Sequence, residues 1–192
     1  MAQPVLVIQS YFFDPKISGL DTTLLKEVVA TVSAITAGIS VKNAAAADAI
    51  LSTKKAFLGG DLRILATVPV KPTAGDARVI GFMSPTQGRK NALMFETVGT
   101  SFFARSYDKN GNKEETEITW LDTTWTAAVT EFSFRVHSPN RVEFLVNGNV
   151  LASHQQYVPE MAPRPLYVQN HLNDDLVVNL LDFRGLRAIA SV

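Results

Sequence analysis

The stretch Glu143 to Ser153, EFLVNGNVLAS, constrains the fold more than any other part of the chain. Apolar residues alternate up to Asn147-Gly148 and resume beyond it. An Asn-Gly pair between two such runs specifies a two-residue hairpin, because both central residues of a type I′ turn need positive φ. Before the turn, Val142, Phe144 and Val146 share one face. Further upstream, Glu131 to His137 sets Phe132, Phe134 and Val136 against Glu131, Ser133, Arg135 and His137. Period two of this kind is that of a half-buried strand. Ser138-Pro139-Asn140 turns the chain between the two runs. A three-stranded antiparallel meander is therefore expected, closed by Asn149 to His154.

The same pattern runs through the middle of the chain. Asp61 to Val70 alternates around Leu62, Ile64, Ala66 and Val68. Arg78–Met83, Ala92–Val98, Ser101–Tyr107 and Glu114–Trp120 follow, with turns such as DKNGNK, Asp108 to Lys113, between them. Val158-Pro159 and Pro163-Arg164-Pro165 leave little room for helix, and Leu166–Leu172 and Leu176–Ile189 read as the last strands. In the first third, Leu24, Leu25, Val28, Val29 and Val32 recur at helical spacing, but the β-branched pairs favour strand. Leu24–Ala30 stays open between the two, and Ala37–Val41 reads as strand. Met1 to Gly19 reads as an arm whose apolar residues Val5, Leu6, Val7, Ile8, Tyr11, Phe12 and Phe13 dock on a neighbouring chain. Short strands every eight to twelve residues predict an all-β chain. The expected fold is an antiparallel two-sheet jelly-roll β-sandwich over residues 21–192, with an N-terminal arm over 1–20. A chain of 192 residues buries about 70% of its unfolded surface and needs no staples.

Composition removes several function classes. Lys and Arg number 18 and so do Asp and Glu, which gives no global attraction to nucleic acid. No cysteine is present, so disulfides, thiol catalysis and cysteine–zinc sites are excluded. His137, His154 and His171 are far apart in the sequence. No basic, long-apolar leader and no membrane-spanning apolar run is seen. No Gly-x-Ser-x-Gly elbow and no phosphate loop occurs. No cofactor and no metal is expected: Asp108-x-Asn110-x-Asn112 opens like a calcium loop, but Lys113 and Thr119 stand where Gly and Glu are needed.

A set of segments carries a resemblance. These are Ala56–Ile64 (AFLGGDLRI), Val79–Phe82 (VIGF), Phe132–Val136 followed by Val142–Gly148 (VEFLVNG), Val158-Pro159 through Pro165–Val168, and Leu176–Ile189. In this order they resemble the concanavalin A-like lectin/glucanase superfamily, including laminin-G-like domains, over about three quarters of the chain. The resemblance implies a jelly roll whose concave face binds glycans. It also implies a strand carrying Glu-x-Asp-x-x-Glu where a member is a glucanase. The matching strand, Ala92–Val98, reads ALMFETV and keeps Glu96 alone. Glu115 and Glu117 share a face two residues apart, as carboxylates of a solvated face do.

Glycan binding requires an aromatic platform and polar partners. Trp120, Trp125, Tyr107, Tyr167, Asn170 and His171 are the candidates. The leading expectation is a non-enzymatic structural or binding protein. It would be a virion component of the capsid-decorating or tail-associated kind, made in a host cytoplasm and partnered by other subunits as an oligomer. The alternatives are a lectin-like carbohydrate-binding module, cytoplasmic or extracellular, and a glycoside hydrolase with an unrecognised acid pair.

Overall fold

The computed structural model describes residues 5–13, 25–29, 32–42, 49–57, 60–67, 78–84, 86–118, 129–137, 140–160, 164–171 and 176–189. Among them there is no helix. The fifteen strands are β1 (Val5–Phe13), β2 (Leu25–Val29), β3 (Val32–Ile35), β4 (Gly38–Val41), β5 (Ala49–Phe57), β6 (Gly60–Thr67), β7 (Arg78–Ser84) and β8 (Gly88–Val98). They continue with β9 (Ser101–Tyr107), β10 (Lys113–Glu117), β11 (Val129–His137), β12 (Arg141–Val146), β13 (Asn149–His154), β14 (Arg164–Asn170) and β15 (Leu176–Ile189). The meander is present as β11–β12–β13, and Asn147 and Gly148 hold φ of 49° and 78°. Within the segment left open at Leu24–Ala30, Leu25–Val29 is strand β2, so its β-branched content outweighs its helical spacing.

Two antiparallel sheets form. One has eight strands in the order β13-β12-β11-β6-β15-β4-β3, with β1 paired to β15. The other has seven, in the order β10-β9-β8-β7-β14-β5-β2. The chain is thus an all-β jelly-roll sandwich. The stretch Ala56–Ile64, one segment of the resemblance, is divided between β5 in the seven-stranded sheet and β6 in the eight-stranded one. The arm residues Val5 to Phe13 pair along β15 from Ile189 to Leu181, within the chain's own sheet.

The core lies between the sheets. Ile64, Phe132, Phe134, Phe144 and Val178 from one sheet meet Leu51, Ile80, Leu93, Phe95, Phe102 and Val168 from the other, all buried. Phe95 sits at the centre, with its ring 5.0 to 5.5 Å from those of Phe134, Phe132, Phe144 and Phe102. Gly81 on β7, on the other face of its sheet, is glycine for a steric reason. A Cβ would stand 2.0 Å from the Leu93 carbonyl oxygen of the neighbouring strand, closer than any side chain can come.

The sheets are also joined by hydrogen bonds where β10 and β13 approach. His154 on β13 is 1% exposed. Its Nδ1 is 2.9 Å from Ser106 Oγ on β9, and its Nε2 is 3.1 Å from Thr116 Oγ1 on β10. Its ring lies 4.8 Å from that of Phe144. Beside it, Glu114 Oε2 accepts from the backbone N–H of Gln155 and Gln156, at 3.0 and 2.8 Å. Burial pushes the imidazole pKa down, and the Glu114 charge opposes this only in part. The folded state therefore favours the neutral ring and binds fewer protons than the unfolded state. This contribution to stability is complete above the ordinary histidine value and falls as pH drops through about 6.5 toward the lower folded value. We expect the urea midpoint of the wild type to decline across that window. We expect His154→Gln to flatten the decline there while lowering stability at neutral pH. An unchanged pH profile in the variant would remove His154 as the titrating group.

Candidate functional site

Strand pairing fixes which residues share the outer face of the seven-stranded sheet. One row runs Tyr167, Gly81, Met94, Arg105, Glu115 across β14, β7, β8, β9 and β10. The next runs Gln169, Val79, Glu96, Phe103, Glu117. The rows between them, such as Val168, Ile80, Phe95, Ala104, Thr116, face the core. The outer face has its own apolar floor, in which Val79, Met83, Ala92, Met94, Tyr107 and Tyr167 are buried together.

On that floor lies a chain of five charges. Glu96 on β8 is 2% exposed. Its Oε1 accepts from Nη2 of Arg89, and its Oε2 from Nη1 of Arg105 at 2.5 Å. Arg105 reaches onward, its Nη2 2.9 Å and its Nε 3.0 Å from Glu115 Oε2. Lys113 Nζ donates to the same oxygen at 2.7 Å. The order is Arg89, Glu96, Arg105, Glu115, Lys113, alternating in sign. Arg89 Nη1 also donates to the Tyr107 hydroxyl at 3.2 Å, and the Arg105 guanidinium lies 4.6 Å from the centre of the Phe103 ring. Glu117 stands one row away and accepts from Ser101 Oγ at 2.7 Å.

The electrostatics follow from the pairing. A buried carboxylate is tolerated only when paired and hydrogen-bonded, and Glu96 has two guanidiniums. The Lys113 hydrogen bond, with Arg105 behind it, holds the Glu115 carboxyl below the usual carboxylate range. Burial lowers Arg105, but the hydrogen bond and charge of Glu96 outweigh it and its pKa is raised.

The sequence candidates are dispersed. Trp120 and Trp125 lie outside the described residues. Tyr107 and Tyr167 do share the outer face, but they are 3% and 4% exposed. They are floor rather than open platform, and the Tyr167 hydroxyl donates to Gln169 Oε1 at 2.9 Å. Asn170 is on the opposite, core-facing side of β14, where its Nδ2 donates to the Val41 carbonyl of the other sheet at 2.9 Å. His171 is exposed at the end of that strand. In the calcium-like stretch, the Asp108 carboxylate accepts from the backbone N–H of Asn110 and Asn112, at 2.8 and 2.9 Å, and from Asn112 Nδ2 at 2.8 Å. That is a hairpin turn, and its carboxylate is already in use. Among the described residues no group of three metal-ligating side chains is present.

The reading of single strands missed Arg89, Arg105 and Lys113. A signal for two of them was available. Gly99-Thr100 and DKNGNK make β8, β9 and β10 consecutive hairpins, and alternation from Phe103 puts Arg105 on the face of Glu115. Arg89 could not be placed in this way. Asn91 has a φ of 51° and the β7–β8 register shifts between Phe82 and Ser84, so simple alternation fails between Gly88 and Ala92.

The fold is similar to the concanavalin A-like jelly roll seen in solved glucanase and transglycosylase structures. The solved structures it resembles include an apo Crh5 transglycosylase, with a TM-score of 0.71 and 14% identity over 92% of this chain and 84% of that one. A β-glucanase of Bacillus licheniformis matches at a TM-score of 0.72 and 12% identity, over 91% and 97% of the two chains. A β-agarase A in complex with oligoagarose matches at 0.65 and 9%, over 95% and 94%. No family model matches the chain, and no curated protein sequence matches it. The expectation of a non-enzymatic virion component is corrected by these neighbours. The solved structures named here are a transglycosylase, a β-glucanase and a β-agarase.

Proposed function

We propose that the chain is a glycoside hydrolase or transglycosylase whose two carboxylates come from different strands, Glu96 on β8 and Glu115 on β10. The observation that carries this reading is the shared Arg105 guanidinium. Glycoside hydrolysis uses two carboxyl groups about 5–9.5 Å apart. Two carboxylates bound to neighbouring nitrogens of one guanidinium are separated by little more than that group's width and two hydrogen bonds. The acid pair of one-strand glucanases, Glu-x-Asp-x-x-Glu, is not available here: with Glu96 as its last residue Leu93 and Asn91 stand at the other two positions, and with Glu96 as its first Val98 and Ser101 do. Glu115, held low by Lys113 and Arg105 and partly open to solvent, takes the role of the ionised partner, nucleophile or base. Glu96 then takes the role of proton donor to the leaving oxygen, which requires that the substrate displace Arg89 and Arg105 from it and that the carboxylate take up a proton from solvent before the bond breaks.

The test is incubation of the chain with mixed-linkage β-glucan and with agarose, products being read by mass spectrometry. Cleavage or transfer is expected. Glu96→Gln and Glu115→Gln are each expected to reduce it by about 10²- to 10⁴-fold. Glu115 is 37% exposed on its side chain, so its variant should fold. No product from either glycan, or full activity in Glu115→Gln, would overturn the assignment. Binding without cleavage would leave a lectin-like module.

A further inference from the structure

The five-charge chain is unbalanced, and its imbalance faces outward. It has three cations and two anions, and both ends are cations. Arg89 and Lys113 are 50% and 43% exposed, whereas Glu96 is 2% and Glu115 37%. Arg105, in the middle, is 8% exposed. Solvent over this part of the sheet therefore meets Arg89 at one end and, at the other, Lys113 paired with the half-exposed Glu115, so the exposed groups are two cations and one anion. Arg89 spends one nitrogen on Glu96 and one on Tyr107. A guanidinium carries five N–H donors in a planar fork suited to carboxylate or sulfate. Among the described residues Glu117 is a further carboxylate of the face, and it lies in the neighbouring row beside Ser101. The chain as a whole is neutral, so a preference from these cations is local and opposed by no global charge.

We propose that this site takes anionic glycans, with Arg89 and Lys113 contacting carboxylate or sulfate groups carried on the sugar chain. The inference rests on the glycan-active reading above and adds the class of substrate. It identifies Arg89 and Lys113 as specificity residues, separate from the carboxylates assigned to bond cleavage.

A matched pair of ligands tests it: mixed-linkage β-glucan and its carboxymethyl derivative, compared by affinity electrophoresis at low salt and at about 1 M salt, where screening extends only about 3 Å. The carboxymethyl glucan is expected to bind about three- to tenfold tighter at low salt and equally at high salt. Arg89→Ala and Lys113→Ala should each reduce the preference, and Arg89→Lys should retain part of it. Both sites are half-exposed, and an unchanged melting temperature identifies variants that have folded. Equal affinity for the two glucans, or a preference that survives salt or both variants, overturns the charge selection and leaves the glycan reading in place. Failure of both glucans to bind overturns the two together.

Discussion

Phe95→Ala is expected to lower the free energy of unfolding by about 3–5 kcal/mol, the range for removing a large aromatic side chain from a packed core. Phe95 is 1% exposed and stands between the sheets. Four rings surround it: Phe132, Phe134 and Phe144 from the facing sheet and Phe102 from its own, at centroid distances of 5.0 to 5.5 Å. Truncation removes the buried area and the ring contacts on both sides at once. The cavity would be lined by rings held in strands, which collapse poorly. A domain with about 5–15 kcal/mol in total would lose a large share of it. Urea unfolding checks this, with a lower midpoint and an unchanged slope. Phe95→Leu, which keeps most of the volume, should cost about half as much or less. A loss of less than about 1 kcal/mol in Phe95→Ala would mean that the four rings do not meet as described.

The second large effect concerns the buried charges. Glu96→Ala is expected to cost about 3–5 kcal/mol, because it leaves Arg105 buried without its closest counter-ion. Glu115 still holds Arg105 from the other side, which places the loss toward the lower end. Arg105→Ala should cost a similar amount by stranding Glu96, although Arg89 remains on that carboxylate. The double variant Glu96→Leu with Arg105→Met should recover most of either loss, since well-packed apolar residues can replace a buried ion pair at little net cost. The thermodynamic cycle over these variants measures the coupling. Additive losses would show that Glu96 and Arg105 do not act as a pair. Catalytic effects of Glu96→Gln should be read beside its melting temperature, because the same carboxylate supports the sheet and takes part in the proposed chemistry.

A smaller acid effect is expected on the outer face of the eight-stranded sheet. Hydrogen bonds from His137 and Arg141 lower the Glu143 carboxyl from its ordinary 4.5 to about 2. Its folded value is depressed, so its contribution to stability is present above about 4.5 and is lost as pH falls toward 2. Acid unfolding of Glu143→Gln should therefore be less steep than that of the wild type between those limits.

Much of the architecture was legible in the chain itself. Alternation and the Asn147-Gly148 turn specify β11, β12 and β13 without reference to anything distant, because a hairpin is a local structure. The lack of a second acid on the face of Glu96 was equally plain, since residues two apart on a strand share a face. What could not be read is which face turns inward and which strands become neighbours. Asn170 and Tyr167 belong to one short strand, yet one ties the sandwich together from within and the other floors the outer face. Ala56–Ile64 looks continuous and is divided between two sheets. In the eight-stranded sheet β6 pairs with β11 on one side and with β15 on the other, contacts across long separations that no local pattern encodes.

Period two and turn chemistry thus determined the strands from β6 onward and the single carboxylate of β8 from the sequence alone, whereas β1 reads as an arm and β2 stays open. The tertiary structure decided the rest. Only when β8, β9 and β10 lie side by side do Glu96, Arg105 and Glu115 meet. Only then does burial of Glu96 make its pairing with arginine an energetic necessity rather than a chance proximity of charges.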